Sequence, residues 1–534
     1  MYDHIGLGFG PANLALCISL HENEEARARG FTMCFLEQQS TFAWHPSLLL
    51  PGAQLQVSPL KDLVTMRDPT SSSSFLNFLH SEGRLMQYIN REEKVPSRRE
   101  WSAYLAWAAH RMQQYVQYGR RVVDVVPVEH GHTLDHYRVI CEHVETGEKE
   151  EFLARNLSMA AGGSPQLPHT FQSLYTWPRE LQSRVVHSAS FLPHMAKLAP
   201  VLQAASQPLR FAVIGGGQSS AEMLLYLRDR FPTASIDMIL RASALVPSDD
   251  SPFVNSAAFD PASVTTFWES SARQRHAQLA EFKRTNYSVI RSDLLQSLYE
   301  VVYDQDIDYS EPGETPKGLV RILASTELVT VEQQPNDQIR IDTCTNMGDL
   351  LERSETYDAV FLGTGFRRDP SLLPFVHTLS SYFPLLSVEG AEALRERELA
   401  LDEQVAKAQD PEAMRAKLRG ITRDYRLVAH DHVSWAKPPS ALPESVIQRI
   451  PCSRIGIEGQ REPSLSRNGS ESSTRASTPP GTSASASSSH SRPAGAIYMF
   501  GSNEHTHGLS DSLMSMVAHR AGIVTASLLA AYST

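Results

Sequence analysis

Two glycine-rich turns in this 534-residue chain have the spacing that brings a backbone close to a phosphate. The first contains Gly6, Gly8 and Gly10, follows a short apolar run and leads through Asn13 into a segment with a helical pattern. Glycine permits the tight turn, and the helix behind it offers N–H groups to an anion. The strand expected next ends at Glu37, an acid suited to a ribose hydroxyl. We therefore predict a dinucleotide site here, and a purely structural turn is the alternative.

The second turn contains Gly215 and Gly217 and follows an apolar strand at 210–214. The strand expected after it, 235–240, is followed by Arg241, where NAD enzymes commonly carry an acid. A cation at this place suits the 2′-phosphate of NADP, although a solvated arginine at a strand end is the plainer alternative. Two nucleotide sites in one chain indicate FAD together with NADPH.

Composition disfavours several other functions. The net charge of −11 argues against nucleic acid or an anionic membrane as the main partner. The five cysteines form no CxxC pair, so neither a disulfide reductase nor a zinc site is indicated. His505 and His507 could suggest a metal pair, but no further ligand stands at metal-site spacing, and we predict no metal. Because we find no signal peptide and no apolar run of membrane length, we expect a cytoplasmic protein without stable membrane insertion.

The wider pattern indicates the elements that position these turns. Helical patterning covers 70–118, 267–303 and 387–420, and a β-like stretch covers 121–160. Each glycine turn belongs to a βαβ unit. We predict an α/β fold with two Rossmann-like dinucleotide-binding domains, for FAD and NADPH, and a smaller, mainly helical substrate domain.

Residues 464–495 are rich in serine and proline and contain almost no large apolar side chain. Such a segment cannot bury enough surface to offset its ordering entropy, so we predict a disordered insertion. The predicted division of the chain is 1–200, 358–372 and 496–534 for the FAD domain, 201–254 and 290–357 for the NADPH domain, and 255–289 and 373–463 for the substrate-binding region.

Short motifs in a fixed order carry more information than either turn alone. They are FAWH at 42–45, QVSPLKDL at 56–63, RDPTS at 67–71, SFLNFL at 74–79, PSRREW at 96–101, DDSPFVN at 249–255, TNYS at 285–288, GTGF at 363–366 and HTHGLSDSL at 505–513. In combination the chain resembles the L-ornithine N5-monooxygenases, microbial N-hydroxylating flavoproteins related to the lysine N6-monooxygenases. The resemblance runs from Gly6 to about Gly522, apart from the insertion.

The resemblance implies a role for each matching position. Lys61, Asn255 and Ser510 would hold the α-amino and α-carboxylate end of L-ornithine. The catalytic positions would be Gln56, beside flavin N5, and Asn286, near the amine that is oxidised and in contact with the substrate. The remaining cofactor contacts would come from Trp44 and His45 beside the flavin, from Leu513, and from Gln218, Ser219 and Arg241 toward NADPH.

The resemblance also implies a reaction. A C4a-hydroperoxyflavin, formed with NADPH and molecular oxygen, would hydroxylate the side-chain amine and give N5-hydroxy-L-ornithine for a hydroxamate siderophore. The amine must lose its proton to act as a nucleophile, so activity should rise toward alkaline pH. By the same resemblance the protein would be a homotetramer.

Two departures from the family pattern leave alternatives open. After Asn255 the chain has one residue more than usual and Ser256 in place of an acid, so a displaced loop is expected. Leu55 stands where methionine is common. A lysine or other small-amine substrate is one alternative, because one methylene discriminates by only about 1–3 kcal/mol. A non-catalytic FAD-binding relative is another. Lys61 could also be a plain surface lysine, and the two asparagines helix caps.

The composition of the insertion generates a prediction. Deleting residues 464–495 should leave folding, FAD content and turnover nearly unchanged, because the segment has almost no large apolar side chain to contribute to a core. Absorbance of bound flavin in the purified deletion variant measures this. Loss of flavin would show that the segment is structural.

Overall fold

The computed structural model describes residues 1–93, 95–130, 133–175, 183–308, 318–345, 352–430, 434–435 and 495–531. Its helices are α1 (Pro11–Glu22), α2 (Glu24–Ala28), α3 (Phe75–Ser81), α4 (Leu85–Asn90), α5 (Arg98–Arg111), α6 (Phe191–Gln203), α7 (Gln218–Arg230), α8 (Pro252–Phe259), α9 (Pro261–Glu269), α10 (Ala272–Asn286), α11 (Ser292–Asp308), α12 (Val388–Val405), α13 (Pro411–Arg419), α14 (Glu504–His507) and α15 (Val517–Ala530). Among the helices of these ranges, none is both long enough and apolar enough to cross a membrane.

The strands include the runs predicted around the two glycine turns and in the stretch 121–160, together with others that the sequence pattern does not predict. They are β1 (Tyr2–Leu7), β2 (Met33–Glu37), β3 (Val116–Tyr118), β4 (Arg120–His130), β5 (Thr133–His143), β6 (Lys149–Met159), β7 (Ser164–Pro165), β8 (Val185–His187), β9 (Arg210–Ile214), β10 (Ser235–Ile239), β11 (Val320–Leu323), β12 (Thr326–Gln333), β13 (Ile339–Thr345), β14 (Glu352–Tyr357), β15 (Ala359–Leu362), β16 (Phe366–Arg367), β17 (Ser434–Trp435) and β18 (Ile497–Met499).

The first α/β body is built on a mixed sheet with β1 at its centre. β1 pairs in parallel with β2 on one side and with β6 on the other. Ile5 and Leu7 are fully buried, as expected for a parallel strand whose two faces are both covered. Helices α1, α5 and α15 share one core through Leu14, Trp101 and Val524. The apolar character of α1 on nearly all sides reflects its position between the sheet and α15.

The second body contains a five-stranded parallel sheet in the order β11-β10-β9-β15-β8. Strands β9 and β10 are joined by α7 and form the predicted second βαβ unit. Phe211, Val213 and Ile236 are buried beneath α6 and α7. The glycine turn follows the carboxyl end of β9, the edge at which open α/β sheets bind ligands. The predicted fold class is confirmed.

A helical region, α8–α10 with α12 and α13, adjoins the two bodies and is held by buried charges. Glu398 on α12 accepts hydrogen bonds from Arg275 on α10 at 2.7 Å and from Arg419 at the end of α13 at 2.7 Å. Burial is close to complete for all three side chains. Removing one partner would leave a buried charge uncompensated, which typically costs about 3–5 kcal/mol.

The sheets differ from the predicted domain boundaries in two places. β8 lies inside predicted segment 1–200, and β15 lies inside predicted segment 358–372, yet both strands belong to the second sheet. Each is a short buried run without periodicity, so no local pattern indicates which sheet it joins. The elements of 267–303 and 387–420 are helical as predicted.

The predicted insertion meets the fold at its carboxyl end. Residues 464–494 lie outside the described residues, but Gly495 lies in the fold, so the boundary at 495 is one residue too far. The Tyr137 hydroxyl donates to the Gly495 carbonyl oxygen at 3.0 Å. A Cβ at Gly495 would lie 1.7 Å from the carbonyl oxygen of Arg155. Next to it, the Leu427 amide donates to the Ile497 carbonyl, which closes the chain before and after the insertion.

The close approach at Gly495 generates a prediction. Gly495→Ala should lower the free energy of unfolding by about 1–3 kcal/mol, the usual cost of forcing an extra methyl into a packed site. Chemical denaturation followed by tryptophan fluorescence measures it. Unchanged stability would mean that this backbone contact does not constrain the fold.

Candidate active site

A large cavity opens at the carboxyl edge of the second sheet. Its volume is about 1550 Å³, more than the roughly 300–1,000 Å³ of ordinary small-molecule pockets. The segments that line it are 214–219, 239–242, 286–289, 363–370 and 501–506, together with Gln56 and one face each of α10 and α12. The cavity therefore has room for part of a dinucleotide and a second reactant.

The second glycine turn forms one wall of this cavity. Gly215 has φ of 120°, and a Cβ there would lie 2.6 Å from the carbonyl oxygen of Gly363, so only glycine fits. Gly217 precedes α7, whose first turn has no side-chain cap. Uncapped N–H groups at a helix start favour a phosphate. Ser219 and the exposed Arg241 line the same wall, so these residues fit the NADPH predicted for them.

The first glycine turn fits the predicted FAD. Gly8 has φ of 82°, and Gly10 precedes α1 without a side-chain cap and with open space where a Cβ would stand. Gly6 is packed so tightly that a Cβ would lie 2.2 Å from the Phe35 ring. Glu37 lies beside the turn and accepts a hydrogen bond from the Phe9 amide at 2.8 Å. The backbone at Gly10, where the helix starts, is thus open to a ligand, whereas the backbone at Gly6 is packed against the Phe35 ring.

Asn13 braces the first turn. Its Nδ2 donates to the Gly8 carbonyl at 2.7 Å, and its Oδ1 accepts from the Ser158 hydroxyl at 2.7 Å. The amide of this predicted cofactor residue is therefore engaged within the protein. Its contact with FAD stays a prediction.

Gln56 and Asn286, the predicted catalytic positions, both line the large cavity. Asn286 is the last residue of α10, and its Nδ2 donates to the Thr285 hydroxyl at 2.7 Å. The structure brings these two side chains to the same space as the second glycine turn. Trp44 packs on the first core, and the His45 ring meets it edge-on at 4.8 Å. His45 adopts a left-handed backbone with φ of 46°.

The residues predicted to hold the α-amino and α-carboxylate end of the substrate lie around α8 and do not line the large cavity. They are Lys61, Asn255 and Ser510. Lys61 Nζ donates to the Phe259 carbonyl at 3.4 Å. Burial lowers the pKa of Lys61, while Asp260 acts in the opposite direction. Ser510 is buried in the turn Leu509–Ser512, which packs on α8. These groups form a second cluster, next to an apolar wall that includes Phe259, Phe267, Leu279, Leu509 and Leu513.

The extra residue after Asn255 is absorbed by a helix. Asn255 lies in the first half of α8, and its Nδ2 donates to the Asp250 carbonyl at 2.9 Å. Asn255 therefore lies in a helix where the sequence pattern predicts a loop. Ser251 caps α8, and Asp260 caps the next helix, so regular structure accommodates the added residue between two good caps.

Sequence reasoning did not single out a polar cluster beside Asn286. The hydroxyl groups of Tyr287 and Ser512 both donate to Glu504 Oε1, and Lys283 Nζ lies 3.8 Å from Glu504 Oε2. Its only signal was adjacency to two of the recognised motifs. His507, weighed as a metal ligand, is fully buried and stacks on Tyr425, with ring nitrogens near the Thr506 hydroxyl and the Arg423 carbonyl. That ring is part of the core.

Comparison with known proteins agrees with this geometry. The chain is 44% identical to the L-ornithine N(5)-monooxygenase of Mycosarcoma maydis, covering 99% of this chain and 85% of that protein. Ornithine hydroxylase PvdA from Pseudomonas aeruginosa has a similar structure, with a TM-score of 0.73, 30% identity and 99% of both chains covered. The Kutzneria sp. 744 ornithine N-hydroxylase KtzI, in the form FADred-NADP+-L-orn, matches with a TM-score of 0.69 and 28% identity over 99% of both chains.

The family model also covers more than half of the sequence. The model described as L-lysine 6-monooxygenase/L-ornithine 5-monooxygenase matches residues 1–368. Both glycine turns and the residues of the large cavity up to Arg368 lie inside this match. The chain belongs to the L-lysine 6-monooxygenase/L-ornithine 5-monooxygenase family.

Proposed function

We propose that this protein hydroxylates the side-chain amine of L-ornithine with FAD, NADPH and molecular oxygen, giving N5-hydroxy-L-ornithine for a hydroxamate siderophore. The observation that carries the proposal is the single cavity shared by Gln56, Asn286 and the NADP-type glycine turn with Arg241. Relatives of matching length have the same activity in their names. Bound flavin supplies the redox chemistry with oxygen, and the chain supplies binding, orientation and a dry site.

The nucleotide is held by charge and by helix geometry. The uncapped start of α7 favours the pyrophosphate, and Arg241 would pair with the 2′-phosphate that distinguishes NADPH from NADH. Gln56, which lines the same cavity, would face the flavin ring. The chain thereby orients the two reacting rings before any chemistry occurs.

The substrate is held by Lys61 through its α-carboxylate, with Asn255 and Ser510 toward the α-amino end. A half-buried ammonium makes a stronger contact with a carboxylate than an exposed one, because water screens it less. The apolar wall at Phe259 and Leu509 keeps water from this end of the site. Asn286 would hold the neutral side-chain amine toward the flavin.

The direct test is a hydroxylamine-product assay that compares ornithine with lysine, alongside NADPH consumption. Product from ornithine at clearly higher kcat/KM than from lysine supports the proposal. Preference for lysine would move the chain to the other activity of its family. A protein that binds FAD but does not oxidise NADPH would indicate a non-catalytic relative.

Two further properties stay proposals. We infer a homotetramer from the resemblance alone, and light scattering on the purified protein tests it. A cytosolic location rests on the scattered cysteines, which suit a reducing compartment. Cell fractionation tests that.

Arg241 generates the first prediction for the nucleotide. Arg241→Ala should weaken the binding of NADPH by about 1.5–3 kcal/mol, the cost of one charge-assisted contact, and should barely affect the binding of NADH. Flavin reduction kinetics with each nucleotide measure it. Arg228→Ala, an exposed change at the far end of α7, serves as the control. Equal losses for both nucleotides would contradict the assignment.

Lys61 generates the prediction for the substrate. Lys61→Ala should raise the KM for ornithine sharply while FAD content and NADPH-driven reduction persist, since these depend on other residues. Oxygen uptake would then exceed hydroxyornithine formed, with the balance released as hydrogen peroxide. The paired measurement is oxygen consumed against product across an ornithine titration. Normal coupling in this variant would make Lys61 a plain surface lysine.

The pKa of Lys61 sets the sign of a pH effect. Because burial lowers this pKa, the ammonium that binds carboxylate is lost earlier than usual as pH rises. The ratio kcat/KM should therefore climb as the substrate amine deprotonates and fall as Lys61 does. Lys61→Arg, which stays protonated, should move the falling limb to higher pH even if its peak is lower. An unmoved limb would assign it to another group.

A further inference from the structure

A polar bridge connects the backbone beside Gln56 to the first turn of α7. The Arg291 guanidinium donates from Nη1 to the Leu55 carbonyl at 2.7 Å. The Arg291 backbone N–H donates to Gln218 Oε1 at 2.9 Å, and Gln218 Nε2 donates to Glu222 Oε1 at 2.8 Å. One residue thus contacts the segment that carries Gln56 and the helix that begins at the glycine turn.

The guanidinium is aimed by its neighbour. Arg291 Nε donates to Asp293 Oδ1 at 3.0 Å and Nη2 donates to Oδ2 at 2.9 Å, which leaves Nη1 directed at Leu55. The planar fork of arginine fixes these directions together. Asp293 lies in the first turn of α11, where an acid is favoured by the helix dipole. The Arg291 side chain is 18% exposed, although that of Asp293 is 61% exposed.

Other contacts hold the surrounding backbone without Arg291. The Leu55 amide donates to the Pro96 carbonyl, and the Arg98 amide donates to the Ala53 carbonyl. Arg98 also makes a two-bond fork with Glu222, joining the two bodies at 2.8 Å for each bond. Folding and association of the bodies therefore have other supports. The specific contribution of Arg291 is its hydrogen bond to the carbonyl of Leu55, the residue directly before Gln56.

The bridge also accounts for the hydrogen bonds of the Gln218 side-chain amide. Its amide oxygen and nitrogen are both engaged, by Arg291 and by Glu222. In this arrangement its side chain belongs to the bridge, and its contribution to NADPH comes through its place at the helix start. A shift of Arg291 would move both the helix start and the Gln56 backbone relative to one another.

We propose that Arg291 is a positioning residue that sets the placement of Gln56 against the nucleotide-binding turn of α7, and through it the alignment of the two cofactor rings. The inference rests on the proposed function only in its use of FAD and NADPH, and not on the identity of the amine. Misplacement by about 1 Å can cost on the order of a hundredfold in rate, so one hydrogen bond at this place can matter.

The test compares Arg291→Ala with Arg340→Ala in the full-length, FAD-loaded protein. Arg340 makes the same two-bond fork to the aspartate two residues ahead, Asp342, but lies on β13 outside the cavity lining. The first measurement is hydrogen–deuterium exchange of the Leu55 and Gln56 amides without nucleotide. The second is anaerobic flavin reduction by NADPH without amine, with the NADP⁺ dissociation constant from flavin absorbance changes.

We expect Arg291→Ala to speed exchange at Leu55 and Gln56 and to slow flavin reduction by about tenfold or more, with the ornithine KM and FAD content near those of the parent. Arg340→Ala should match the parent in every measurement. Arg291→Lys, which keeps one donor for the Leu55 carbonyl, should recover part of the rate. Parent-like exchange and reduction in Arg291→Ala would overturn the proposal.

Two other outcomes separate the proposals. If Arg291→Ala lost FAD or unfolded, the Arg291→Lys variant would decide: with FAD bound, slower reduction and faster exchange than in the parent would support positioning, whereas loss of FAD there too would assign Arg291 a purely structural role and reject positioning. If the parent protein reduced its flavin with NADPH but made no hydroxyornithine, the proposed substrate would fail while the bridge remained tested by reduction and exchange.

Discussion

The buried fork between Arg98 and Glu222 is the interaction on which the geometry of the site depends. It joins the helix after the first nucleotide fold to the helix that opens the second, with side chains only 14% and 4% exposed. The two nucleotide-binding folds can each bind a dinucleotide alone, but a shared cavity exists only if the carboxyl ends of their parallel strands are held at a fixed angle. A buried, two-bond ion pair is directional in a way that apolar packing is not, so it selects one arrangement among several compact ones. The cavity that Gln56 and the second glycine turn both line follows from that selection.

Much of the fold was predictable because its signals are local. The glycine turns, the buried runs around them and the alternation of strand and helix identified both nucleotide folds, and the family resemblance is confirmed. The membership of β8 and β15 was not predictable, since a three- or four-residue apolar strand fits either sheet equally well by pattern. Sheet membership there is decided by long-range pairing, of β15 with β9 and of β8 with β15, which no local periodicity reports.

The site was predictable to the extent that roles follow motifs. Gln56, Asn286 and Arg241 line one cavity, as a shared site requires. What could not be foreseen is how side chains are already engaged: Asn13 braces a turn and Gln218 bridges two helices. Arg291 drew no attention in the sequence because an arginine followed by an aspartate two residues later is the ordinary pattern of a solvated surface. Its partner is a backbone carbonyl 236 residues away along the chain.

The pairing of Leu427 with Ile497 gives this architecture an unusual freedom in length. Leu427 and Ile497 lie on either side of the segment that contains the serine-rich stretch and are joined by a backbone contact of the folded body, so the chain between them closes a loop whose ends are already fixed. The entropy of such closure grows only with the logarithm of length, and each doubling costs roughly 0.6 kcal/mol. Lineages can therefore lengthen or shorten this stretch with little thermodynamic penalty. The same position is a suitable insertion site for a fused domain, an affinity tag or a fluorophore.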